Sequence, residues 1–169
     1  MFSCQYAESE KTGGSDFINR MLTKVCRKLD IIPLIKLHPQ DSMALFNDRI
    51  HAESVLIAED RDFSFGLIEN ARCIITTFST FIIESVLFRI PVIQLQLEKK
   101  FDLHDFSDQT NVFAAKNEAE LYSLLKNFCE GKRKLLDADK AVKYCQHFMG
   151  SEYHRNISNM TEFCIELVN

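Results

Sequence analysis

Two hydroxyls and a carboxylate stand close together in the stretch CIITTFSTFIIESVLF, residues 73–88. Ser79 and Thr80 open an apolar, helix-like run, and Glu84 follows Thr80 by four residues, on the same helical face. The first turn of a helix offers free N–H groups and the positive end of its dipole, which favour an anion such as a phosphate. A carboxylate facing that start would repel a bare phosphate but suits a ribose, whose paired hydroxyls donate to it. The three residues therefore read as a nucleotide site. Plainer alternatives stand beside that reading: N-capping by Ser79, and for Glu84 a helix–helix ion pair of the kind a buried acid requires.

Further candidates fall at the ends of strand-like runs. In LIKLHP, residues 34–39, Pro39 disfavours helical geometry at His38 and fixes how the chain leaves the strand. His38 can donate to a phosphate oxygen, with Lys36 nearby, or serve as a structural hydrogen-bonding residue. Strand alternation puts Lys36 and His38 on one side, so Lys36 has the alternative of covering the sheet face. Gln5 ends the first strand and leads into a loop with Gly13-Gly14, which does not match G-x-G-x-x-G. Glu59 and Asp60 follow the third strand, Thr77 ends the fourth, and Gln96 ends the fifth. Scattered Ser, His and Asp have no spacing that supports a triad, and no catalytic residue is assigned.

The elements that position these residues alternate from end to end. Strands are expected at residues 2–5, 33–37, 54–58, 73–77, 91–97 and 112–115. The intervening helices are expected after a cap at Asp16, over about 41–50, near 62–70, and over 79–89. Residues 98–110 read as a loop. Asn117 and Glu120 make a capping box for a helix with Leu121, Leu124, Leu125 and Phe128 on one face. Two more helices are expected near 134–148 and 156–167, separated by Gly150. Such alternation implies a single α/β domain over residues 1–169, a Rossmann-like doubly wound parallel sheet of about six strands. The expected order is 3-2-1-4-5-6, with helices on both faces and ligands bound at the strands' carboxyl ends, where the order reverses. Nearly all the polar candidates fall on that rim.

Bulk properties narrow the classes. The 169 residues are 46% hydrophobic and 26% charged, an ordinary globular composition able to bury a core. A net charge of −4 argues against a general affinity for nucleic acid or anionic membrane. No apolar run approaches the ~20 residues that span a bilayer, and the N-terminus lacks the regions of a signal peptide. The six cysteines are widely spaced among apolar neighbours, as reduced core residues of a cytoplasmic protein would be. Neither Cys nor His supplies the close ligand pairs of a zinc site, so no metal or cofactor is expected.

LIKLHP, followed by ARCIITTFSTFIIESVLFRIPVIQL at residues 71–95, resembles the C-terminal half of a GT-B-type glycosyltransferase. The likeness is to bacterial capsule and surface-polysaccharide transferases and to CDP-glycerol glycerophosphotransferases. There a His-Pro motif and a Ser-Ser or Ser-Thr motif, with an acid about five residues on, hold the nucleotide of the donor. The resemblance implies that His38, Ser79 and Thr80 contact donor phosphate and that Glu84 contacts the ribose or lies beside it. It implies as partners a nucleotide-activated sugar or CDP-alcohol and an N-terminal GT-B half, from a longer chain or a partner subunit. That second half usually brings the acceptor side and the catalytic base, so the chain alone is expected to bind and not turn over. The rivals are a nucleotide-sugar 2-epimerase-like domain, whose Gly-rich turn after strand 4 is missing here, and a non-catalytic Rossmann-like module that binds a protein partner.

Overall fold

A computed structural model describes residues 2–3, 14–36, 56–58, 66, 68, 70–77, 79–97, 105–130 and 135–150. In chain order the elements are β1 (Phe2–Ser3), α1 (Gly14–Lys28), β2 (Leu34–Lys36), β3 (Leu56–Ala58), β4 (Ile74–Thr76), α2 (Phe81–Leu87), β5 (Val92–Leu95), β6 (Val112–Ala115), α3 (Glu118–Cys129) and α4 (Ala138–Met149). The strands form one sheet in the order β3-β2-β1-β4-β5-β6, and every pairing is parallel. The class expected from the sequence, a parallel α/β sheet with helices on both faces, is the class observed. The helices expected over 41–50 and 156–167 lie outside the described residues.

Parallel strands covered on both sides must be apolar on both sides. Successive residues show it: Ile75 and Ile93 pack with Met21, Leu22 and Val25 of α1 and Leu121 and Leu125 of α3. Their neighbours Ile74 and Val92 pack on the other face with Ile82 and Val86 of α2 and Tyr144 and Cys145 of α4. Ile68, itself in helical conformation, belongs to this second core.

Helix boundaries follow local chemistry. Asp16, expected as a cap, lies inside the first turn of α1, which begins at Gly14. At the other end Ile31 N–H donates to the Cys26 carbonyl (2.9 Å) and Asp30 N–H to that of Arg27 (3.2 Å), with Asp30 at φ 54°. That is a Schellman closure with aspartate in the left-handed position glycine usually takes. The end of α2 repeats it with Arg89 at φ 60°, and there Arg89 Nε also donates to the Leu136 carbonyl (2.8 Å).

The capping box of α3 is present in a shifted form. Asn117 Oδ1 accepts from Glu120 N–H (2.9 Å), while the Glu120 carboxylate reaches back to Lys116 N–H (2.8 Å) and the Asn117 amide (2.7 Å). The helix expected from 134 begins instead at Ala138, where Asp137 caps it by accepting from Lys140 N–H (3.0 Å).

Candidate functional site

One rung of the parallel ladder crosses the sheet near its carboxyl rim. Lys36 of β2 is in register with Ser3 of β1, Ser3 with Thr76 of β4, and Thr76 with Gln94 of β5. The strand order reverses between β1 and β4. The helix after β1 packs on one face and the helix after β4 on the other, so the carboxyl ends of these two strands flank the crevice where such sheets take ligands. Ser79 and Thr80 lie in the turn that leaves β4 at this point.

The geometry of that turn corrects one expectation. Ser79 Oγ accepts from Phe81 N–H (3.2 Å), the Ser79 carbonyl from Ile82 N–H (3.1 Å), and the Thr80 carbonyl from Ile83 N–H (2.9 Å). The first-turn donors expected to be free for an anion are thus engaged within the turn. Thr80 is the N-cap, already helical at φ −59° and ψ −19°, and its side chain makes no capping bond. The opening is consequently tight, of the i→i+3 kind, and Ser79 performs its capping from the position before the cap. What the turn offers a ligand is hydroxyl O–H groups: Thr80 is exposed and Ser79 half-buried.

Glu84 follows one turn later in α2, half-buried, and it already has an interaction within the chain. Lys36 is the last residue of β2, on the common rung. Gln5 and His38, the other sequence candidates, lie outside the described residues, as do Glu59 and Asp60. Gln96 belongs to a brace rather than an open rim: its amide donates to the Asp105 carboxylate (2.7 Å) and to Gln94 Oε1 (3.2 Å), which also accepts from Phe106 N–H (3.1 Å). Bonds from Ser107 and from Gln96 hold the Asp105 carboxyl below its ordinary range, with burial opposing.

Thr76 escaped the sequence reading. It is fully buried at the end of β4, and among the described residues its hydroxyl oxygen has no hydrogen-bond partner. Buried polar atoms are nearly always satisfied, so an unsatisfied hydroxyl at the carboxyl end of β4 is a polar position worth testing. The only sequence signal was one more threonine in an apolar run, where β-branched residues are commonplace. A cavity of about 330 Å³ also opens at this rim, beyond β5 and β6, lined among others by Phe17, Arg20, Leu97 and Lys116. On its wall Lys24, like Lys28 behind it, pairs with Glu118 (2.7 and 2.8 Å). Among the described residues no group of three His, Cys, Asp or Glu is placed to hold a metal ion, and no helix is long and apolar enough to cross a membrane.

No protein-family model and no curated protein matches the chain. Solved structures do. UDP-GlcNAc 2-epimerase of Methanocaldococcus jannaschii, solved with UDP-GlcNAc and UDP, is similar with a TM-score of 0.59 over 94% of this chain and 45% of its own, at 15% identity. S. aureus MnaA, solved with UDP, gives 0.58 over 92% and 44%, at 12% identity. TarM gives 0.57 over 99% and 35%, at 16% identity. The chain therefore spans less than half the length of each of these proteins. At such identities the likeness shows the fold alone, that of a GT-B-like α/β domain.

Proposed function

We propose that this chain is the donor-nucleotide half of a GT-B-type glycosyltransferase of surface or capsule polysaccharide synthesis. Its donor is a nucleotide-activated sugar or a CDP-alcohol. The observation that supports this reading best is the position of the Ser79–Thr80 turn, at the strand-order reversal of a fold shared with proteins solved with UDP and UDP-GlcNAc. The hydroxyls of Ser79 and Thr80, with His38, hold the donor phosphates. Glu84 accepts from the ribose hydroxyls, and Gln5 and Lys36 are further contacts of the nucleotide. Because the turn's own N–H groups are engaged, hydroxyl and histidine donors carry more of the phosphate binding than the helix dipole. Acceptor and catalytic base belong to a second Rossmann-like half, supplied by a longer chain or a partner subunit.

An epimerase-type reading draws support from the M. jannaschii structures, which are of a UDP-GlcNAc 2-epimerase. Calorimetric titration of the intact chain with CMP, CDP, UDP, UDP-GlcNAc and uridine separates the readings. Nucleotide phosphates are expected to bind and uridine not to. Preference for CMP and CDP favours the transferase over the epimerase-like domain; preference for UDP and UDP-GlcNAc fits either reading. His38→Ala is expected to weaken the phosphate-bearing ligands about ten- to a hundredfold, since a hydrogen bond to a charged group contributes roughly 1.5–3 kcal/mol. Equal or absent binding across all five ligands removes the donor site.

A further inference from the structure

Another cavity lies on the face of the sheet that α2 and α4 cover, between α4 and the segment 105–111 that leads into β6. Its volume is about 490 Å³, within the roughly 300–1,000 Å³ of small-molecule sites. None of its lining residues belongs to the Ser79–Thr80 turn or to the rung that runs from Lys36 to Gln94. The two walls are fixed to each other. Tyr144 of α4 donates its hydroxyl to the Phe106 carbonyl (2.8 Å). Phe148 packs on both rings, with centroids 5.1 Å from Phe106 and 4.8 Å from Tyr144. Phe106 and Tyr144 are buried and Phe148 is half-buried, so Phe148 gives the cavity an apolar surface on a rigid support.

The walls differ in chemistry. Lys140, Lys143 and His147 are spaced i, i+3 and i+7 along α4, and all three line the cavity. Both lysines are exposed, and among the described residues neither has an ion pair. Like charges on one helix face disfavour each other, and an anion between them relieves that. The facing segment presents acceptors instead. Asp108 is already filled by donors from Thr110, Asn111 and Val112. Asp105 is not: its Oδ1 accepts from the Gln96 amide (2.7 Å) and from the Ser107 N–H (2.8 Å) and hydroxyl (2.6 Å). Its Oδ2 has no hydrogen bond among the described residues, and the residue is exposed. Asn111 Oδ1, buried in the same wall, likewise has no donor among the described residues. Its amide nitrogen is committed to Asp108 (2.6 Å) and Thr110 (3.0 Å).

We propose that this cavity binds a phosphorylated sugar of hexose size, at a site separate from that of the donor nucleotide. The phosphate lies against Lys140, Lys143 and His147, whose N–H groups donate to it in charge-assisted hydrogen bonds. The carbon face of the ring rests on Phe148. The sugar hydroxyls point to the other wall and donate to Asp105 Oδ2 and Asn111 Oδ1. Charge fixes this orientation. A phosphate turned toward the 105–111 segment meets the carboxylates of Asp105 and Asp108, and leaves both lysines uncompensated. A neutral sugar lacks the anion that α4 takes, and inorganic phosphate lacks the hydroxyl donors and the ring. Recognition therefore needs both ends of one molecule.

Calorimetric titration of the intact chain with glucose 6-phosphate, inorganic phosphate and glucose tests this. Glucose 6-phosphate is expected to bind about tenfold or more tighter than inorganic phosphate, and glucose not measurably, because both ends contribute. Hydrogen exchange on the unaltered protein with glucose 6-phosphate should protect peptides over 105–111 and 138–149, and none over 79–84. The double variant Lys140→Gln, Lys143→Gln removes two exposed charges. It is expected to keep its melting temperature and to lose about tenfold or more in affinity for glucose 6-phosphate. Asp105→Asn should weaken glucose 6-phosphate severalfold and leave inorganic phosphate unchanged or tighter. Absent binding of glucose 6-phosphate, protection centred on 79–84, or an affinity that the lysine variant does not change would overturn the site. Inorganic phosphate binding as tightly as glucose 6-phosphate, or glucose 6-phosphate binding more tightly to Asp105→Asn, would overturn the assignment of the sugar end.

Discussion

Replacing Glu84 by Gln keeps the volume of the side chain and removes its charge. On the ribose reading, Glu84→Gln weakens every ribose-containing ligand and leaves inorganic phosphate or pyrophosphate binding unchanged or slightly improved. On the ion-pair reading it lowers the melting temperature clearly and affects all ligands alike. Melting temperature and affinity measured together decide the matter. Thr76 supplies a second single-residue test. Its hydroxyl oxygen is buried without a partner among the described residues, and valine has nearly the same shape without the oxygen. Thr76→Val is therefore expected to raise stability by about 1 kcal/mol, the lower range for an unsatisfied buried polar group. A loss of nucleotide affinity in the same variant would place the hydroxyl at the ligand; a lower melting temperature would refute its orphan status.

The connection into β6 is held by one carboxylate. Asp108 accepts from Thr110 N–H (3.0 Å) and hydroxyl (2.6 Å), Asn111 N–H (2.7 Å) and amide (2.6 Å), and Val112 N–H (2.9 Å). Burial opposes ionisation, yet these bonds outweigh it and hold the Asp108 carboxyl at about 2, below its ordinary 3.8. A carboxylate depressed in the folded state contributes stability that is complete above the ordinary value and is lost as pH falls from there through about 2. Melting temperatures measured down that limb should fall less steeply in Asp108→Asn, which cannot change charge. The same variant should be less stable at neutral pH, because an amide oxygen accepts fewer of these bonds. Identical acid limbs in the two proteins would sink the assignment. This turn was legible only as a loop with Asp, Thr and Asn, residue types that favour local hydrogen bonds.

At the scale of the molecule, the fold corresponds to less than half the length of each similar structure, and the proposed chemistry needs a second half. Donor, acceptor and base must be held together for transfer, and one face of a cleft orients only the donor. The purified 169-residue chain is therefore expected to bind nucleotide without multiple-turnover transfer, in a radiolabelled-donor assay with and without candidate acceptors. Robust turnover by this chain alone would falsify the two-half reading and direct the search for a base to residues 98–110.

The sequence alone determined the class of fold and the places where its elements change. Apolar runs such as Cys73–Thr77, alternating with amphipathic segments, can bury themselves only in a parallel sheet covered on both faces. Asn117 with Glu120 marked the start of α3 because that box is local chemistry within four residues. The tertiary structure decided what depends on distant partners or on hydrogen-bond competition. Whether the N–H groups after Ser79 are free for an anion turned on a tight helix opening that no residue type announces. Thr76 became an orphan only when the sheet and its covering helices closed over it. Cys73 and Cys129, 56 residues apart in the sequence, came to line one cavity because the start of β4 and the end of α3 meet at the same corner. Local pattern governs which element forms, since its hydrogen bonds close within a few residues. Long-range packing governs which side chains meet, since that depends on how every element is stacked.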